Sequence, residues 1–409
     1  MAMEHAGTTK WGGALIALIC GSVILLFSLG IRHTFGLFLQ PVTVDQGWGR
    51  ETFAFAIALQ NLVWGASQPF AGMLSDRHGA LRVVSLGAVL YAAGLWIMSS
   101  VSGEATFILG AGILIGLGLS GTTFPIVFGT ISRLVPAEQR SLAMGITMAV
   151  GSFGQFVMLP FGLGLMSWLS WPGALMAFSA LALLMFPLAY GMREPARVEQ
   201  PGVVHQGAGE ALREAFSTRD FWLLCLGFFV CGFQVVFIAV HLPAFLADEG
   251  LGVSVATTVL ALIGLVNIAG TYYAGLWGGR RRKPMLLAWI YLGRALAIAA
   301  FILLPVTAVT AYAFGIAMGL FWLSTVPLTN GTVASVWGVR HMSMLGGIVF
   351  FAHQLGSFAG GWLGGWLYDR TGSYDSTWAI AIGLSVTAAA LNWPIQETPV
   401  GERMKKAPA

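Results

Sequence analysis

Twelve runs of apolar residues, each long enough to cross a bilayer and each closed by a charged or Gly/Pro-rich break, dominate this 409-residue sequence. A helical span needs about 20 apolar residues, because in hydrocarbon only a helix or a closed barrel satisfies every backbone polar group. The runs are Trp11–Gln40, Glu51–Leu74, Leu81–Ser102, Ala105–Val135, Ser141–Leu169 and Pro172–Arg193. They continue as Asp220–Ala247, Ser254–Gly278, Pro284–Leu304, Thr310–Trp337, Ser343–Leu367 and Ser376–Ile395. The period-2 alternation of outer-membrane barrel strands is absent. Charged residues make up 9% of the chain, against about 25% in soluble domains, so a soluble globule is excluded. The expected fold class is all-α and integral to the membrane, with twelve transmembrane helices.

The net charge of +4 could suggest a nucleic-acid partner, but its distribution points to a bilayer. Of 21 Lys and Arg residues, Arg50 and Arg370 fall in loops on one side, and Arg32 and Arg294 fall inside spans. The remainder gather at the opposite ends and loops, the positive-inside pattern that puts both termini in the cytoplasm. Residues 1–10 lack a cleavable secretory pattern, so the first span is expected to stay. The chain reads as a multi-pass protein of the cytoplasmic (inner) membrane.

The one substantial hydrophilic break, 192–219, is rich in Glu, Arg, Gly and Pro and separates two six-span halves, 1–191 and 220–409. Within it, 210–216 suits a short surface helix. The halves read as repeats. Gly72-Met-Leu-Ser-Asp76-Arg77-His-Gly79 follows span 2, and Gly275-Leu-Trp-Gly-Gly279-Arg280-Arg281 follows span 8 at the matching place. Gly36-Leu-Phe-Leu39 near the end of span 1 likewise matches Pro243-Ala-Phe-Leu246 near the end of span 7. Repeated halves place a substrate at their interface near the bilayer midplane.

No Asp or Glu lies in the interior of any apolar run, yet cations do. A guanidinium in hydrocarbon costs roughly 3 kcal/mol or more on insertion scales, so it must face protein, water or a partner. Arg32 and His33, side by side in the outer third of span 1, therefore suggest a cavity that receives an anion. The competing reading is snorkelling to the headgroups. His241 precedes the helix-breaking Pro243 on span 7 and could mark a hinge or bond within the bundle. His353 lies mid-span, and with no acid in the membrane, histidine is the protein group left to carry protons near neutral pH. Arg294, near the middle of span 9, suits either a ligand contact or exposed carbonyls of span 8 or 10. Gln60, Asn61, Gln155, Gln234, Asn267, Tyr272, Asn330 and Gln354 suit interhelical hydrogen bonds, with some lining a pathway. Trp48, Trp168, Trp171, Trp378 and Trp393 near span ends suit interfacial anchoring. Cys20, Cys225 and Cys231 all lie within spans, where packing is expected rather than a disulfide or metal site.

The loop Gly72-x-Leu74-x-Asp76-Arg77-x-Gly79-x-x-Arg82 resembles the signature between helices 2 and 3 of the major facilitator superfamily. That resemblance implies two six-helix pseudo-symmetric bundles and alternating access. It gives a gating role to Gly72, Asp76, Arg77, Gly79 and Arg82, with Asp76 meeting basic groups or a helix N-terminus when the inner gate is shut. Gly279 departs from the pattern in the second copy, so that half must close by other contacts.

Within the superfamily, Arg32-His-Thr-Phe-Gly-Leu-Phe-Leu-Gln-Pro41 followed by Trp48-Gly-Arg50 is similar to the monocarboxylate transporter and oxalate/formate exchanger group. There a helix-1 lysine stands close to the place of His33, and a helix-8 arginine commonly stands where this chain has Thr271. Arg32, His33, His241, His353 and Arg294 are the candidate substrate-binding residues. The resemblance implies a monomeric secondary transporter for a small organic anion, proton-coupled or exchanging, with no enzymatic activity, cofactor or metal. A larger aromatic or heterocyclic nutrient or drug, held by Phe and Trp, stands as the alternative cargo. No phosphate-binding loop for ATP appears.

Overall fold

The computed structural model describes residues 2–194 and 206–402, and within them the chain is helical without a strand. Span 1 becomes two helices in line, α1 (Ala2–His33) and α2 (Phe35–Gln46), parted at Thr34, whose hydroxyl donates to the Ile31 carbonyl at 2.7 Å. α3 (Arg50–His78) turns into α4 (Ala80–Ser99) at Gly79, whose φ of 85° favours glycine. Span 4 is composite: α5 (Glu104–Phe107), a π-helical stretch Ile108–Leu114, α6 (Ile115–Thr122) and α7 (Phe124–Leu134). α8 (Arg140–Leu183) holds span 5 and, past a turn at Ser170, most of span 6, which continues through α9 (Met185–Leu188) and ends in a 3-10 turn, Ala189–Met192.

The second half runs α11 (Arg219–Asp248), α12 (Val253–Gly278), α13 (Lys283–Leu303), α14 (Ala308–Phe321), α15 (Thr325–Trp337), α16 (Met342–Thr371) and α17 (Asp375–Asn392). Nine helical stretches among the described residues are long and apolar enough to cross a membrane. One of them, Ala137–Met192, folds back at Ser170 and crosses twice; α3 and α17 complete the twelve. They form two six-helix bundles. The helix expected in the hydrophilic break is present as α10 (Ala208–Ser217), while 195–205 lie outside the described residues.

Spans 4 and 10 break in the same way. Pro125 and Pro327 each lack an N–H and crowd the carbonyl four residues back, so the helix parts at Thr123 in one half and over 322–324 in the other. Carbonyls freed in hydrocarbon need donors. Gln68 Nε2 on α3 donates to Ser120 O at 2.9 Å, and Gln60 Nε2 donates to Ala111 O in the π-helical stretch at 2.6 Å. Across span 10, Asn267 Oδ1 accepts from Leu323 N at 2.9 Å.

Arg294 completes that second repair. It is fully buried, and its Nη2 donates to Phe321 O at 2.7 Å and to Trp322 O, its Nε to Phe321 O at 3.2 Å, and its Nη1 to Gln234 Oε1 at 3.2 Å. Of the two roles the sequence leaves open for Arg294, the geometry realises the bond to span 10. Another expectation is corrected outright. Trp378 is 1% exposed and packs against Phe237 and Phe245 at 4.7 and 5.4 Å inside the second bundle, so it is core, not an interfacial anchor. Trp168, at 88% exposure, fits the anchor role. Arg282 donates to Ile395 O at 3.0 Å, and Lys283 pairs with Glu397 at 2.5 Å.

Arg294→Gln is expected to lower the melting temperature in detergent by several degrees. Carbonyls of the α14–α15 break then stand unmet, at about 1–3 kcal/mol. Melting identical to the wild type would show that the break stands without the guanidinium.

Candidate functional site

The two bundles meet where α3 crosses α16 and where α8 crosses α12. At Gly72 the backbones are so close that a Cβ would collide with Ser343 O and Met344 N. This approach seats Asp76 against the first turn of α16, where it accepts from Ser343 N at 3.3 Å and Met344 N at 2.8 Å. First-turn amides have no partner within their own helix and carry its positive end, so a carboxylate suits them. Arg133 on α7 pairs with Asp76 at 2.8 Å and with Glu194 at 2.7 Å, and reaches Val339 O across the interface at 3.4 Å. The Asp76 and Arg133 side chains are 2% and 9% exposed. A desolvated pair of this kind depends on such added hydrogen bonds.

The other crossing has no carboxylate. A methyl on Gly145 would lie 2.6 Å from the Gly275 Cα, and a Cβ on Gly278 would collide with the Ser141 hydroxyl. The second crossing is thus one of close backbone approach, with Gly279 where the first copy has its carboxylate. Gly79 supplies the α3–α4 turn, and Arg77 and Arg82 are exposed beside it.

One level deeper lies a layer of rings shared by both bundles. Trp64 on α3 lies 4.7 Å from Phe350 on α16, and Phe124 on α7 lies 4.9 Å from the same ring. His353 follows, stacked on Phe350 at 5.5 Å and tilted against Phe228 of α11 at 4.8 Å. Trp64 Nε1 is oriented by Gln68 Oε1 at 3.0 Å and Thr123 Oγ1 at 3.1 Å. Gln354 Nε2 donates across the interface to Asn61 O at 3.1 Å.

Arg32 borders this layer. Its guanidinium carbon is 5.1 Å from the Trp64 ring centre, one nitrogen donates to Asn61 Oδ1, and its buried Nε has no partner. None of the ion pairs among the described residues includes it. The bonds and ring contacts that join the bundles here run from the Asp76 end through the Trp64–Phe350 layer to the pairs Asn61–Gln354 and Ser152–Asn267. The interface is closed at its arginine-rich end, through Asp76, Arg133 and the start of α16.

The structure thus joins Arg32 to His353 through Trp64 and Phe350. It leaves the other candidates apart. His33 is exposed and makes no hydrogen bond among the described residues. His241 bonds Gly361 O at 2.9 Å and faces the Tyr374 hydroxyl at 3.4 Å, within the second bundle. Arg294 is held by span 10 of that bundle. Sequence reasoning missed Trp64, Gln68 and Phe350. A usable signal for the first two was Gln60, Trp64 and Gln68 at helical i, i+4, i+8 spacing, a polar stripe on one face of an apolar helix.

Residues 13–361 match the family profile described as Major Facilitator Superfamily, and the chain belongs to that superfamily. It is a multi-pass membrane transporter, not an enzyme. It is 26% identical to human Monocarboxylate transporter 11, over 95% of this chain and 84% of that one. It is 24% identical to the Bacillus subtilis (strain 168) Uncharacterized MFS-type transporter YcxA, over 98% of each. Its fold matches the Escherichia coli fucose:proton symporter FucP at a TM-score of 0.73 and 16% identity, covering 94% of this chain and 98% of that one. A structure of FucP in the outward conformation matches at 0.74, also with 16% identity, over 94% and 99%.

If Asp76 holds the interface shut, Asp76→Asn should shift the population toward opening at the arginine-rich end by about tenfold or more, since charge-assisted hydrogen bonds are worth roughly 1.5–3 kcal/mol. Gly72→Val, which cannot pack against Ser343, should open it further. Spin-label distances between the bundles measure both; wild-type distributions in both variants would reduce the loop to a turn.

Proposed function

We propose that this superfamily member carries a small organic anion of the monocarboxylate kind by alternating access, with Arg32 as the anchor for its carboxylate. The observation that carries the reading is the Arg32 guanidinium itself: bordering the interface layer, over Trp64, with a buried Nε that has no partner and no ion pair among the described residues. A carboxylate is the group that satisfies such a fork. The monocarboxylate relatives support this class of cargo.

In this reading the bundles 1–191 and 220–409, joined by 192–219, rock about the site as a monomer in the cytoplasmic membrane, both termini and the arginine-rich end facing the cytoplasm. Cargo enters from the opposite end. Closing of that end around the anion separates Asp76 from the N-terminus of α16 and opens the cytoplasmic side. His353 is the proton carrier, in ring contact with the layer that cargo crosses. The same ring layer favours an anion with a flat apolar body, and a neutral aromatic or heterocyclic nutrient is the second reading it supports.

Proteoliposome uptake at equal folded protein separates the two. Arg32→Gln should cut uptake of the anion by at least about tenfold, and Arg32→Lys by less, because a point charge replaces a planar fork. Near-normal uptake by Arg32→Gln would favour the neutral aromatic cargo.

His353→Gln should flatten the dependence of uptake on pH between about 5 and 8. An unchanged profile would remove His353 from the proton path.

A further inference from the structure

Outside the transport site, the arginine-rich end holds a cavity of about 870 Å³ walled by both bundles. Arg77 and Arg82 enter from the α3–α4 turn, Arg340 from the segment before α16, and Arg193 from the end of span 6. These four arginines face two lining carboxylates, Asp76 and Glu194, and both carboxylates are already engaged by Arg133. None of the four makes an ion pair among the described residues, and the buried Nε of Arg340 has no hydrogen-bond partner. Four arginines lining one space, three of them exposed to it and one with an unmet buried Nε, supply the fork donors that a phosphate group takes, in a volume far larger than one carboxylate needs.

We propose that this cavity binds a phosphate-bearing anion that holds the Asp76 interface closed. Arg77 and Arg82 share a wall with Arg340 because α3 and the start of α16 are in contact through Gly72 and Asp76. Separation of the bundles divides the site. An occupant therefore binds the closed form better and shifts the population toward it by that difference in affinity. The effect is an inhibitory input from the arginine-rich side, independent of cargo. The phosphate is carried either by a soluble molecule or by a lipid headgroup.

The test uses the full chain in phosphatidylcholine nanodiscs, with inorganic pyrophosphate as the probe, sodium chloride at matched ionic strength as control, and melting temperature as readout. Pyrophosphate should raise the melting temperature, with half-saturation shifted at least about tenfold by Arg82→Gln and by Arg340→Gln. Arg32→Gln should respond like the wild type, which separates this site from the transport site. A soluble ligand is indicated by that result. A headgroup is indicated if pyrophosphate is inert but phosphatidylglycerol discs stabilise the wild type and neither arginine variant. Should Arg340→Gln fail to fold, the exposed Arg77→Gln replaces it. The proposal is overturned if neither probe stabilises the wild type, if the arginine variants respond as the wild type does, or if Arg32→Gln abolishes the response.

Discussion

Every interruption of a helix inside hydrocarbon frees backbone groups that water cannot reach, and the architecture of this transporter is organised around meeting that demand. The proline-directed breaks in spans 4 and 10 would be untenable in isolated helices. They persist because Gln68, Asn267 and Arg294 deliver polar atoms from neighbouring helices. The breaks in turn allow α7 and α15 to set off from the breaks independently of α6 and α14, and α7 carries Phe124 and Arg133 to the interface. Polar residues that look like functional candidates in an apolar sequence are thus in part the means by which a bent helix survives.

The two halves solve one problem with different chemistry. Both crossings depend on glycine, because only a missing Cβ lets backbones come within reach at Gly72 against Ser343 and at Gly145 against Gly275. The first adds a carboxylate set against the start of α16 and fixed by Arg133; the second relies on contact alone. Attraction between charges falls off gradually with distance, whereas packing of the second kind is forfeited once a gap of about an ångström opens. The charged contact between the halves thus lies at Asp76, beside the arginine-lined cavity.

The two bundles place their buried cations differently. The second bundle neutralises its buried cation internally, through carbonyl dipoles. The first leaves Arg32 with an amide oxygen, an indole face and an unmet Nε. The two arginines that the sequence places inside spans therefore have opposite characters, one satisfied by the fold and one with a nitrogen still unmet.

That difference marks what the chain alone could decide. Span count, helical class, the repeat and the Asp76 loop are local or periodic properties, set by hydropathy, by the spacing of glycine and charge, and by the solvent the spans must enter. The short helix α10 was legible for the same reason, as an amphipathic stretch within a hydrophilic break. Which arginine lacks a partner, that Trp378 is core, and that Trp64 meets Phe350 across the bundles are facts about residues hundreds of positions apart or on the unseen face of a helix. A linear sequence carries the rotation of each helix only weakly when nearly every face is apolar, because lipid and protein interior select similar side chains. Only the packed bundles, by bringing specific faces to within hydrogen-bond or ring-contact distance, determine which polar group is repair and which is left without a partner.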